Sequence, residues 1–173
     1  MALLVRPARA GDRGWIRSAL MSEWGSVEVV SRGRLTEDAS ALGGLVAERD
    51  GRAAGYALLR LEGDAGEVVV LHSLERGAGV GTALLERARA EAARAGCARL
   101  WLVTTNDNVE AIRFYQRRGW DWVEFHRDSL TASRQLKPAI PRTGAHGIPL
   151  RHELVFESPT GGAPSRTAGT GSP

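Results

Sequence analysis

Leu71-His72-Ser73-Leu74-Glu75-Arg76-Gly77-Ala78-Gly79-Val80-Gly81-Thr82-Ala83-Leu84-Leu85 is the stretch on which the fold turns. Just ahead of it, Val68, Val69 and Val70 join Leu71 in a β-rich apolar run that predicts a strand. Glycines at 77, 79 and 81 then open a loop, and a helical pattern follows directly. A loop freed of Cβ atoms can turn its backbone N–H groups toward an anion, and the following helix adds its positive dipole end to the same spot. The sequence therefore offers a place for a phosphate or pyrophosphate.

Upstream, the apolar run around Val5 ends at Pro7 and predicts a first strand. Gly11-Asp12 precedes a helical pattern with Trp15, Ile16, Ala19 and Leu20 on one face. Residues 24–44 have weak periodicity and many small side chains, which predicts a loop or a broken helix. Residues 45–49 read as a strand, Asp50-Gly51 as a two-residue hairpin turn, and residues 53–61 as the returning strand. Residues 66–74 are the next strand.

Downstream, a helix is predicted over about residues 80–95, with Leu84, Leu85, Ala88, Ala92 and Ala95 on one side and Gly96 as its C-terminal cap. Residues 100–103 read as a buried strand. Asp107 stands three residues before Glu110, a capping-box spacing, so a helix is expected from near Asn108 to about Arg118, stopping at Gly119. Residues 120–125 alternate as a strand, residues 129–149 carry Pro138, Pro141, Gly144, Gly147 and Pro149 as a long irregular connection, and residues 150–157 read as a last strand. The order predicts an α/β domain over residues 1–157 with a mixed sheet: hairpins make its front antiparallel, and the helical crossover after residue 81 requires parallel neighbours. Residues 158–173, dominated by Ser, Pro, Thr and Gly, are expected to form a disordered tail.

Composition narrows the function classes. A chain of 173 residues with 43% hydrophobic and 25% charged side chains fits one soluble globular domain. No run approaches the ~18 apolar residues of a membrane span, and no signal-peptide pattern opens the chain, so no membrane partner is expected. A single cysteine, Cys97, excludes an internal disulfide and points to a reducing cytoplasm. The net charge of +3 comes from arginine, with Lys137 as the one lysine. Those arginines are scattered rather than clustered with aromatics, so no nucleic-acid partner is expected. No metal-ligand spacing is present.

The glycine loop fits neither familiar nucleotide motif. Arg76-Gly77-Ala78-Gly79-Val80-Gly81 lacks the Gly-x-Gly-x-x-Gly spacing of a dinucleotide fold, and no Gly-Lys-Ser/Thr follows for a nucleotide P-loop. It does fit Arg-x-x-Gly-x-Gly. A second constellation lies downstream: Asn108-x-x-Ala111-x-x-Phe114-Tyr115-x-x-x-Gly119-Trp120. In this order the two motifs resemble the GNAT superfamily of acyl-CoA-dependent N-acetyltransferases, over roughly residues 3–157. Trp120 departs from the family's commoner Phe but keeps the aromatic character.

The resemblance implies a GNAT-like mixed, predominantly antiparallel sheet with flanking helices. It implies acetyl-CoA as acyl donor, its pyrophosphate held by the backbone of Gly77, Ala78, Gly79, Val80, Gly81 and Thr82, with Arg76 at the loop entrance. Free backbone groups near Leu71 would bind the pantetheine arm and polarise the thioester, and Asn108 and Ala111 would border that arm. Tyr115 matches the general acid that protonates the departing thiolate.

The base that takes a proton from an unidentified amine acceptor is expected to be His72, since imidazole titrates near neutral pH; Glu67 and Glu75 are alternatives. His126, His146 and His152 lie on segments that could border the acceptor, and nothing in the sequence singles them out. The segments implied to recognise the acceptor are residues 24–35 and 137–150, with Glu23, Glu28, Glu37 and Asp38 available to greet a cation. Direct acetyl transfer to a primary amine is the expected function. A domain that binds or senses acyl-CoA without turnover is the alternative, and a homodimer through an exposed sheet edge suits either.

Overall fold

The computed structural model describes residues 2–161. Its elements in chain order are β1 (Leu3–Pro7), α1 (Arg13–Trp24), β2 (Val29–Ser31), β3 (Arg34–Thr36), β4 (Gly44–Arg49), β5 (Arg52–Glu62) and β6 (Ala65–Ser73), then α2 (Val80–Arg94), β7 (Arg99–Thr105), α3 (Val109–Gln116), β8 (Asp121–His126), α4 (Leu130–Leu136) and β9 (Glu153–Pro159). Seven strands form one sheet in the order β1-β4-β5-β6-β7-β9-β8, and β2-β3 is a separate hairpin. Each pairing in the main sheet is antiparallel except β6 with β7, the two strands joined by α2. The fold is thus α/β, a mixed and predominantly antiparallel sheet with flanking helices.

The sheet is buried on both faces at its centre, which is why β5 and β6 read as apolar runs rather than as alternation. On one face, α2 lays Val80, Leu84, Leu85, Ala88 and Ala92 over the sheet, and α3 adds Tyr115 to the same core. Burying one such leucine contributes about 2 kcal/mol. On the other face, Ile16 and Leu20 of α1 pack with Val46, Tyr56, Leu58 and Val70. The turn at Asp50-Gly51 places both residues at positive φ (52° and 74°), as a type I′ hairpin requires. Helix α2 ends in a Schellman arrangement: Gly96 (φ 87°) donates to the Ala93 carbonyl and Cys97 to that of Ala92. Cys97 itself is a buried core residue, and burial pushes its thiol pKa up. Among the described residues no helix is long and apolar enough to cross a membrane.

Three segments differ from the sequence reading. Within residues 24–44 the structure forms the β2-β3 hairpin, turned by Arg32 and Gly33 at φ 48° and 73°. Strands of three residues are too short for alternation to register. Within residues 129–149 lies the seven-residue helix α4. The last strand starts at Glu153, because the backbone before it is bound elsewhere: Asn106 Oδ1 accepts from the amides of Arg151 and His152, each at 2.9 Å. Of the expected tail, β9 takes residues up to Pro159, and everything from residue 162 lies outside the described residues.

One buried carboxylate ties the first strand to the first helix. Asp12, 8% exposed, accepts from Arg6 Nη1 (2.7 Å), the Arg9 amide (2.7 Å) and Trp15 Nε1 (3.2 Å). The Arg6 guanidinium holds the Asp12 pKa well below the usual carboxylate range. Asp12→Ala is therefore expected to lower unfolding free energy at pH 7 by about 3 kcal/mol, the low end for breaking a buried pair. A depressed folded-state pKa contributes stability above the unfolded value and loses it as pH falls through the folded one. The gap between variant and parent in urea unfolding should therefore narrow from pH 7 toward pH 2; a gap that held constant would put the effect down to packing.

Candidate functional site

The site is built where β6 and β7 part. Their parallel register holds for Ala65↔Arg99, Gly66↔Leu100 and Glu67↔Trp101 and then ends, although β6 continues to Ser73 and β7 to Thr105. A bulge in β6 where Leu58/Leu59 pair with Val70 and Val68 leaves Val69 unopposed and bends the strand at that point. Beyond the fork β6 stays bonded to β5. The Leu74 amide donates to the Ala54 carbonyl at 2.8 Å, and backbone groups alternate sides along a strand. The amides of Leu71 and Ser73 consequently turn the other way, into the opening.

The glycine loop closes one end of this opening. Gly77 and Gly79 sit at φ 74° and 77°, and a Cβ at either would meet nothing within 4 Å, so both face open space. Gly79 is the N-cap of α2 and makes no side-chain cap, so the amides of Val80, Gly81 and Thr82 have no partner within the helix. Gly81 differs from its neighbours. It is buried, and a Cβ there would come within 3.0 Å of Phe114 Cζ, so this glycine lets α3 pack closely on α2. Arg76 is exposed beside the loop.

Two arginines that the sequence reading did not single out fix the loop. Arg49 at the end of β4 pairs with Glu75 (2.9 Å) and donates to the Ala78 carbonyl (3.0 Å). Arg118 donates to Thr82 Oγ1 (2.6 Å) with its guanidinium carbon 3.6 Å from the centroid of the Phe114 ring. Arg118 lies two residues after the end of α3, and no local pattern marks either contact, since both join distant segments.

Tyr115 stands on α3 on the α2 side of the sheet. Its ring lies against Phe114, Trp120 and Phe156, with centroids 5.4, 6.0 and 5.5 Å away, and 8% of the residue remains exposed. Burial pushes the phenol pKa well above its ordinary value, so it holds its proton at neutral pH. The cap of α3 is Asn108, whose Oδ1 accepts from the Ala111 amide at 3.1 Å, one residue later than the capping-box spacing predicts. Asp107 instead accepts from the Thr105 hydroxyl (2.5 Å) and the Ala145 amide (2.9 Å), docking the connection before β9.

His72 lies on the opposite face. Its half-buried ring meets Trp24 at the end of α1 (5.3 Å) and Tyr56 on β5 (5.6 Å). Burial lowers its pKa below the ordinary 6.5, with Glu23 opposing and Arg76 adding to the shift. The other candidates are engaged. Glu67, 3% exposed, is ion-paired with Arg60, and Glu75 with Arg49. His126 is paired with Glu124 (2.7 Å), and His152 Nδ1 accepts from the Asp128 amide (2.8 Å), while His146 is an exposed residue in a turn.

The structure also joins the two segments expected to recognise an acceptor: Lys137 Nζ donates to the Glu28 carbonyl at 2.7 Å. Residues 137–150 are held by Arg134, which donates to the carbonyls of Ile140, Pro141 and Leu150. His72 lies on β6 beyond the fork, and Tyr115 lies on the other face of the sheet, packed against Trp120 and Phe156.

Comparison with known proteins places this geometry. The model of the acetyltransferase (GNAT) family matches residues 15–120. The chain is 34% identical over 133 residues to the uncharacterized protein YdhI of Bacillus subtilis (strain 168), covering 77% of this chain and 83% of that one. Among solved structures, an IAA acetyltransferase from Bacillus cereus ATCC 14579 superposes with a TM-score of 0.67 at 17% identity, covering 91% of this chain and 99% of that one. A GNAT family acetyltransferase from Elizabethkingia anophelis with acetyl-CoA bound superposes with a TM-score of 0.65 at 14% identity, covering 91% and 97%. These two likenesses are likenesses of fold.

Proposed function

Because the chain belongs to the acetyltransferase (GNAT) family, we propose that it moves an acetyl group from acetyl-CoA directly to a primary amine held in the same complex. The observation that carries this reading is the fork: the amides of Leu71 and Ser73 turn into the opening between β6 and β7, beside His72, and the Tyr115 hydroxyl would reach it from the other face of the sheet. The cradle fits a pyrophosphate, since Gly77 and Gly79 leave open space and the first three amides of α2 have no partner within the helix. A similar fold carrying acetyl-CoA supports the same donor. Arg76 and Arg118 would add positive charge at its rim.

Acetyl-CoA supplies an acyl carbon whose C–S bond breaks as the C–N bond forms. The Leu71 amide stabilises the charge that develops on the thioester oxygen, a role worth about 3–4 kcal/mol per donor. His72 takes one proton from the acceptor ammonium and passes it to solvent. Tyr115 gives its proton to the departing sulfur, and the second proton lost by the nitrogen restores it, so one proton is released per turnover. Residues 24–35 and 137–150, joined by Lys137, would frame the acceptor.

The test is CoA-thiol release across small amines, peptides with free N-termini and lysine peptides, alongside calorimetric titration with acetyl-CoA. Turnover with one acceptor class is expected, with a rate that rises with pH through an acid limb lying below 6.5, where His72 becomes neutral. Binding without release across the panel would leave a silent acyl-CoA-binding domain, and no binding would refute both.

A further inference from the structure

Tyr56 on β5 stands directly across from His72 on β6. It is fully buried, and its hydroxyl has no hydrogen-bond partner among the described residues. An unpaired buried hydroxyl costs about 1–3 kcal/mol, and Phe would fill the same volume without that cost. Its apolar neighbours, Ile16, Leu20, Val46, Leu58 and Val70, offer no polar side-chain atom, and the Nε1–H of Trp15, whose ring centroid is 5.6 Å away, is donated to Asp12. Two polar side chains come near it: His72, with ring centroids 5.6 Å apart, and Glu23 of α1, whose charge acts on the phenol without a hydrogen bond to it. The imidazole is partly exposed, whereas the phenol is fully enclosed.

Resting on the reading of His72 as the base, we propose that Tyr56 is its positioning residue: the phenol oxygen accepts the N–H of one imidazole nitrogen and leaves the other nitrogen's lone pair facing the acceptor amine. A hydrogen bond of about 2.9 Å closes when the imidazole swings toward the fixed hydroxyl. The ammonium proton then passes to the free nitrogen of His72. The imidazolium keeps its second N–H on Tyr56, whose own proton stays in place because burial disfavours the phenolate. The charges that face His72 are Glu23 from α1 and Arg76 from the loop after β6, so Tyr56 is the neutral partner from β5.

Tyr56→Phe separates this role from packing. Thermal stability should stay level or rise, acetyl-CoA affinity should stay unchanged, and kcat/KM for the amine should fall by about 10–100-fold, the range known for outer partners that orient metal-bound histidines. The acid limb of the pH profile should move to lower pH, since the imidazolium loses an acceptor. Nitrogen NMR of the parent's His72 ring should show a single tautomer that becomes mixed in the variant. His72→Gln is the companion. If it abolishes the acid limb while Tyr56→Phe alters neither rate nor limb, the positioning role is overturned and the base reading stands. If His72→Gln leaves rate and limb intact, both are overturned. A mixed tautomer in the parent overturns the positioning role by itself, even if the Phe variant does not fold.

Discussion

Tyr115→Phe is expected to lower kcat by about 10²–10⁴-fold, the contribution of a positioned acid, with acetyl-CoA affinity nearly unchanged. The structure makes this substitution clean. Three aromatic rings surround Tyr115, and Phe keeps each of those contacts, so what leaves is the hydroxyl. Burial raises the phenol pKa, which keeps the acid charged with its proton over the whole working range. Loss of activity in the variant should therefore be close to constant across neutral pH, unlike the effect of changing His72. A donor whose leaving group is a weaker base than the CoA thiolate needs protonation less, so it should narrow the gap between parent and variant. Rapid-quench measurement of acetyl transfer checks both points. An unchanged kcat would make Tyr115 a core aromatic and return the acid to solvent.

The parts of this site that were legible in the sequence are those encoded locally. A strand running into glycines and then a helix is a contiguous pattern, and it fixed β6, α2 and the loop between them. Asn108 caps the short helix that carries Phe114 and Tyr115, at spacings that a motif can hold. What stayed hidden depends on contacts between distant segments. Arg49 reaches 29 residues along the chain to Ala78, and Lys137 reaches 109 residues back to Glu28. Nothing near either residue announces such a partner. Strands of three residues in β2 and β3 carry too little periodicity to register, and α4 was masked by the prolines and glycines that follow it. Residues 137–150 illustrate the limit well: the composition says loop, and the three carbonyls gathered by Arg134, with the Ala145 amide held by Asp107, show that the loop is fixed.

Gly79→Glu should weaken acetyl-CoA binding by more than about 100-fold, and the geometry separates two causes. The residue has φ 77°, so any L side chain there carries a strain of about 1–2 kcal/mol. That strain is shared by Gly79→Ala, which should lose some stability and less than about tenfold in affinity. The glutamate adds charge. A Cβ at this position meets no protein atom within 4 Å, so the carboxylate would extend into the space of the cradle rather than into the fold. At about 5 Å from a phosphate charge, with an effective dielectric near 20, the repulsion is about 3 kcal/mol. It would also stand over the amides that begin α2 and occupy them in the ligand's place. The affinity gap between the Glu and Ala variants should shrink as salt is raised, because screening acts on the charge and not on the strain. Calorimetric titration of both variants at low and high ionic strength reads the two contributions separately. Normal affinity in Gly79→Glu would mean that the phosphates of the donor lie elsewhere, and the free amides of the loop would then need another ligand.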